Sequence, residues 1–176
     1  MIDDKITQAD YIIDETYYLF SDERLSKRYL KHIMLNSSNI DEVIRRIKRI
    51  QDRVITLSNY ANDGIARLND YADTDEIYET KVIEKPNFEK IDKFYDDDKA
   101  QSDFGEYLKN EAPTAQLKST TRQCEFIRIS CNQMMKQARS YYLGLKKHEI
   151  RAKEISDLQN KQRQSMDLGI YRNLKV

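Results

Sequence analysis

The sequence predicts an all-α protein: a long, coiled-coil-like helical hairpin with two short N-terminal helices, an irregular acidic middle segment and an extended C-terminal tail. Three observations predict it. Apolar residues return every three or four positions along two long stretches. Only 4 Gly and 2 Pro occur among 176 residues, so turns are scarce and elements long. Hydrophobic residues make up 39% and charged residues 34%, with a mean hydropathy of -0.82, which suits solvent-facing helices better than a thick multilayer core. The expected organisation is one elongated helical domain: short helices over 1–38, a long helix over 39–71, the acidic segment over 72–116, a long basic helix over 117–168 and a tail over 169–176.

Within 1–38, the stretch DYIIDETYYLF carries Ile12, Ile13, Leu19 and Phe20, and SDERLSKRYLKHIML carries Leu25, Tyr29, Ile33 and Met34 on one side. Ser21 is placed to cap the second helix, and Asn36, Ser37 and Ser38 form the break that follows. The long helix opens on two pairs with capping-box spacing, Ser38 with Asp41 and Asn39 with Glu42. With Ile40 at heptad position a, the a positions are Ile40, Ile47, Val54, Ala61 and Leu68; the d positions are Val43, Ile50, Leu57, Gly64 and Tyr71. All are apolar except Gly64, which admits a close backbone neighbour.

The middle segment changes character. ETKVIEK alternates and reads as a short strand or extended arm. Phe88, Ile91, Phe94 and Tyr95, then Phe104, Tyr107 and Leu108, read as two short amphipathic turns around Asp96, Asp97 and Asp98. Three adjacent aspartates lack the regular spacing and the Gly of a calcium loop, so a solvated loop or helix cap is expected there.

A second ridge starts at Leu117, just after the helix-start signal Pro113–Thr114. Its a positions are Leu117, Cys124, Cys131, Ala138, Leu145 and Ala152, and its d positions Thr120, Ile127, Met134, Tyr141, His148 and Ile155. Past Ile155 the seam turns polar at Gln159 and Gln162, so the last turns are expected to leave the bundle, with Gly169 as the stop. A heptad repeat this long favours paired, supercoiled helices. The first seam is bulky and β-branched, whereas the second alternates large side chains with Ala and Cys, so the two fit each other within one chain. Ordinary four-helix packing is the competing arrangement. Cys124 and Cys131 stand about 10 Å apart along a helix, too far to bridge, and read as reduced core thiols.

The net charge of zero hides an uneven distribution. Residues 1–38 hold 5 basic and 7 acidic side chains (−2), 39–71 hold 6 and 5 (+1), 72–113 hold 6 and 13 (−7), and 114–176 hold 13 and 5 (+8). Lys118, Arg122, Lys136, Arg139, Lys146, Lys147 and Lys153 all fall at b, c or f of the second ridge and form a positive stripe opposite the seam. Three readings compete for it: a solvated helix face, pairing with the acidic segment within or between subunits, and phosphate binding. No helix-turn-helix, zinc-finger or RNA-recognition signature accompanies the stripe.

No catalytic site is expected. The two histidines are His32 and His148; His148 occupies a seam position, where a hydrogen-bonded core imidazole is the commoner role. No Cys/His cluster has metal spacing, and no Gly-rich phosphate loop is present. No cofactor, metal or membrane partner is therefore expected. The N-terminus has no apolar block and no run approaches the roughly 20 residues needed to cross a bilayer, so an intracellular location is expected.

The expectation for function is a non-enzymatic structural subunit of a larger homo-oligomer that touches neighbouring structural proteins. The seam residues Ile40, Val43, Ile47, Ile50, Val54, Leu57, Leu68, Ile127, Met134, Tyr141, Leu145 and Ile155 would pack helices, and Ile170, Leu174 and Val176 of the tail would dock into a neighbour as an added strand. Lys, Asn, Ile and Tyr richness agrees with an AT-rich genome, which brings a phage or viral connector-type component, and hence a virion location, into view. A nucleic-acid-binding accessory protein using the basic stripe is the runner-up, and a coiled-coil chaperone or regulator the third reading.

Overall fold

The computed structural model describes residues 4–68 and 85–174, with side chains to residue 166. Among the described residues the regular structure is α-helical throughout: α1 (Asp4–Ser21), α2 (Glu23–Leu35), α3 (Ile40–Arg67), α4 (Phe88–Asp96), α5 (Asp98–Asn110) and α6 (Thr114–Leu174). The all-α class with a long hairpin-forming helix is as the sequence predicts. The ETKVIEK stretch and Tyr71 lie outside the described residues, apart from Lys85.

Each helix start has a local cause. Asp22 caps α2, its carboxylate accepting from the Arg24 and Leu25 amides at 2.9 and 3.2 Å. The cap therefore falls one residue after Ser21, whose hydroxyl instead donates back to the Tyr17 carbonyl at 2.6 Å. Of the two spaced pairs before α3, Asn39 and Glu42 are the pair used. Asn39 Oδ1 accepts from the Glu42 amide at 2.9 Å, and Glu42 Oε2 accepts from the Ser38 amide at 2.7 Å. That last bond holds the Glu42 carboxyl below its ordinary range. Asn87 caps α4 by accepting from the Lys90 amide.

The acidic middle is more regular than expected. Asp97 ends α4 and caps α5, accepting from the Ala100 amide at 3.0 Å. One residue thus joins two helices, its backbone amide donating to the Phe94 carbonyl and its side chain capping α5, where the sequence suggested turns around an acidic loop. The apolar positions named there are the reason: Ile91, Phe94, Tyr95, Phe104, Tyr107 and Leu108 are all buried, at helical spacing.

Two compact units divide the chain after Ala138. In the first, the two long ridges pair. Gly64 faces Leu117, while Gln51 donates to the Arg128 carbonyl and to Asn132 Oδ1 at 2.9 and 2.8 Å. Numbers rise along α3 as they fall along α6, so the pair is antiparallel and lies within one chain. Helix α5 runs parallel to α3, with Gly105 against the Tyr60 ring and the Leu108 carbonyl against Gly64. Helix α1 runs parallel to α6: Asp14 accepts from Gln123 at 2.8 Å, and the Tyr17 and Phe126 rings meet edge-on at 5.1 Å. The result is a four-helix bundle of α1, α3, α5 and the start of α6, so the hairpin and the bundle coexist. Its core holds Ile13, Leu19, Ile47, Leu57, Phe104, Leu117 and Ile127, each fully buried or within 1% of it. Side chains of this size contribute about 1.5–3 kcal/mol each on burial.

Two close approaches require glycine. A Cβ on Gly64 would collide with the Leu108 carbonyl and sit 2.9 Å from Leu117 Cδ2, at the point where α3, α5 and α6 converge. A Cβ on Gly105 would enter the Tyr60 ring.

The second unit, Arg139 onward, is helical to Leu174. Helix α6 therefore passes through Gly169, Ile170 and Leu174, which corrects the stop at Gly169 and the extended tail. Among the described residues no glycine adopts the positive φ of a terminating cap. A glycine inside a helix costs only about 1 kcal/mol relative to alanine and need not end it.

Candidate functional site

The seam residues divide into two groups by cover. Val43, Ile47, Ile50, Val54 and Leu57 of α3, and Ile127 and Met134 of α6, are buried within the bundle, while Ile40 and Leu68 at the ends of α3 are half-buried. Tyr141, Leu145 and Ile155 keep the same heptad register but are 55%, 43% and 49% exposed. The a position after Gln159 is Met166, 67% exposed. His148, expected as a core imidazole, is also exposed.

Cys124 and Cys131 are buried and free, as expected for core thiols, and burial pushes each up to about 12. At such values neither carries thiolate at neutral pH.

The basic residues remain at the surface. Lys118, Arg122 and Lys136 are exposed on the bundle, and Arg139, Lys146, Lys147 and Lys153 are exposed in the second unit. Among the described residues none of the seven has an acidic partner. Two acidic residues of the middle segment pair with α3 instead: Asp96 accepts from Arg49 at 2.7 Å, and Asp98 pairs with Arg53, whose Nε also donates to the Tyr95 carbonyl at 3.3 Å. Both arginines stand on α3, one helical turn apart. Arg67, near the end of that helix, donates to the Lys109 and Ala112 carbonyls at 2.8 and 3.0 Å. These arginines went unremarked in the sequence, because their partners lie more than forty residues away and no local spacing signals them.

The described residue set most like a catalytic constellation was also missed. Tyr29 donates from its hydroxyl to Asp92 Oδ1 at 2.5 Å, and His32 Nε2 stands 2.7 Å from Asp92 Oδ2. Tyr29 stacks on His32 at 5.9 Å between ring centroids, and Phe88 packs against both. Burial, and then the neighbouring Asp92 carboxylate, hold the Tyr29 hydroxyl well above its ordinary range, so it stays a donor. The other ring nitrogen, Nδ1, lies 3.4 Å from the Asn36 side-chain amide nitrogen. Both imidazole nitrogens thus face partners. The crevice beside the cluster holds about 20 Å³, room for roughly one water and far below the 300 Å³ or more of a small-molecule site. The arrangement fastens α2 to α4.

Two further features complete the surface. A groove of about 890 Å³ runs between α1 and the α4–α5 pair, floored by Ile12 and Phe94 and edged by Lys90, Lys93 and Lys99. Glu15 is 3% exposed, its Oε2 has no hydrogen-bond partner, and burial raises its carboxyl above the ordinary value against the Asn87 backbone and Lys90. No described group of three or more His, Cys, Asp or Glu could hold a metal, and no described helix is long and apolar enough to cross a membrane. No known family model matches the chain, and neither the curated proteins nor the solved structures include a match to it.

Proposed function

We propose that this chain is a non-enzymatic assembly subunit, a connector-type component that joins like copies and neighbouring proteins into a larger particle. The observation that carries this reading is the seam of α6. The bundle satisfies its own core by Ala138, yet heptad positions continue through Tyr141, Leu145, Ile155 and Met166 with those side chains 43–67% exposed. A helix that must stand in water has no need of a and d residues of this kind, whereas one that meets a partner does. Light scattering across a range of concentrations tests the reading. A mass that grows to a defined multiple of 20.9 kDa supports it, and a chain that stays monomeric at about 100 µM, alone and with proteins from its own assembly, contradicts it.

A second reading has its own observation: the exposed basic residues without acidic partners offer a surface to a phosphate backbone. Binding to mixed-sequence DNA or RNA would then fall steeply as salt rises, and reversing Lys146 and Lys147 to Glu would remove most of it. Affinity unchanged by that reversal ends the nucleic-acid reading and leaves assembly untouched.

A further inference from the structure

We propose that residues 139–166 of α6 pair with the same residues of a second copy, antiparallel and about a two-fold axis. This inference rests on the assembly reading and specifies the partner and its direction. The apolar residues at the seam positions of this stretch, Tyr141, Leu145, Ile155 and Met166, are 55%, 43%, 49% and 67% exposed, so the face has area to bury.

Charge decides the direction. With Leu117 at a, Glu149 and Arg163 both occupy position e and both are exposed. In a parallel pair e faces g, which sets Glu149 beside Gly144 and Arg163 beside Leu158, so no opposite charges meet. In an antiparallel pair e faces e, and Glu149 of each copy meets Arg163 of the other twice over, as two-fold symmetry requires.

Size then decides the register. Opposing Ala152 with Ile155 puts large against small on both sides of the axis. The same register sets Tyr141 opposite Met166 and His148 opposite Gln159, a polar layer of the kind that fixes alignment at some cost in stability. Slipping one heptad in one sense brings Arg151 against Arg151. Slipping in the other sets Ile155 against Gln159 and Ala152 against Gln162. The chosen register avoids both; its one apolar–polar mismatch is Leu145 opposite Gln162, once on each side of the axis, and it leaves Lys146, Lys147 and Lys153 at b and c, outside the contact.

The full-length chain tests this directly. Ser140 is exposed, and the native thiols are buried and pushed up to about 12, so a spin label attached to Ser140→Cys reports from one position. At 1.5 Å rise per residue the proposed register separates the two labels by about 40 Å. Glu149→Arg should weaken self-association about tenfold or more, and adding Arg163→Glu to the same chain should restore it. A separation of about 10–15 Å overturns the antiparallel register while the oligomer itself keeps the assembly reading alive. Failure of the double variant to recover overturns the charge pairing. The absence of any label-to-label distance, with a monomeric mass, overturns this inference and the self-assembly reading together.

Discussion

Glu15 is the residue whose chemistry is most exposed to test, because its carboxyl is sunk into α1 beside the start of α4 with one oxygen unpartnered. Burial raises its folded-state pKa above the ordinary 4.5. Above the raised value the buried charge costs stability; as pH falls through it towards 4.5, the native state takes up the proton before the unfolded chain does and gains. Glu15→Gln removes this dependence. The variant should therefore be more stable than the parent at pH 8, with the difference shrinking as pH approaches 4.5; thermal unfolding at several pH values measures it, and a difference that grows towards acid would show the sign to be wrong. Gly64 and Gly144 make a second pair at this scale. A methyl at Gly64 meets the Leu108 carbonyl, so Gly64→Ala should cost about 1–3 kcal/mol in denaturant unfolding. At Gly144 nothing lies within 4 Å, so Gly144→Ala should stabilise its helix locally by about 1 kcal/mol. The role of Gly64 was legible in the sequence, where a lone glycine interrupts a bulky seam. Glu15 was not, since a carboxylate within DETYY looks like any other helix-surface acid until the fold turns it inward.

Elements were read best where a short-range rule governs them. Spacing alone found α3 and α6, and capping-box spacing narrowed the start of α3 to Ser38 or Asn39, of which Asn39 is the cap used. The aromatic run of the middle segment was seen, but its division into α4 and α5 depends on Asp97 serving two helices at once. Asp96 and Asp98 are further fixed by Arg49 and Arg53 across the bundle, and no window of sequence contains both partners. The two halves of the α6 seam should respond oppositely to mutation. Ile127 is fully buried, so Ile127→Ala should cost the bundle about 2–5 kcal/mol. Ile155 is 49% exposed, so Ile155→Ser should change bundle unfolding by no more than about 0.5 kcal/mol while weakening self-association. Chemical denaturation at low concentration, followed by light scattering at high concentration, separates the two effects. A large loss of monomer stability from Ile155→Ser would mean that the seam is already covered within the chain.

Taken as a molecule, the chain builds a complete core in its first unit and leaves a helix with an exposed heptad seam in its second. The intramolecular pairing of bulky with small seams was legible because complementary side-chain volume is a property of the two ridges themselves. The fate of the opposite charges was not, because it turns on which helix the acidic junction lands beside. It lands beside α3, and the lysines and arginines of the stripe stay exposed. An isolated amphipathic helix is marginal in water and its amides open readily, whereas one held against a partner is protected. Amide hydrogen exchange over residues 139–166, followed against protein concentration, is therefore the most direct test of an assembly role. Protection in that stretch should rise as concentration rises, while protection of the bundle up to Ala138 stays constant. Exchange there that is equally fast at every concentration, or equally slow in the dilute monomer, would contradict the account.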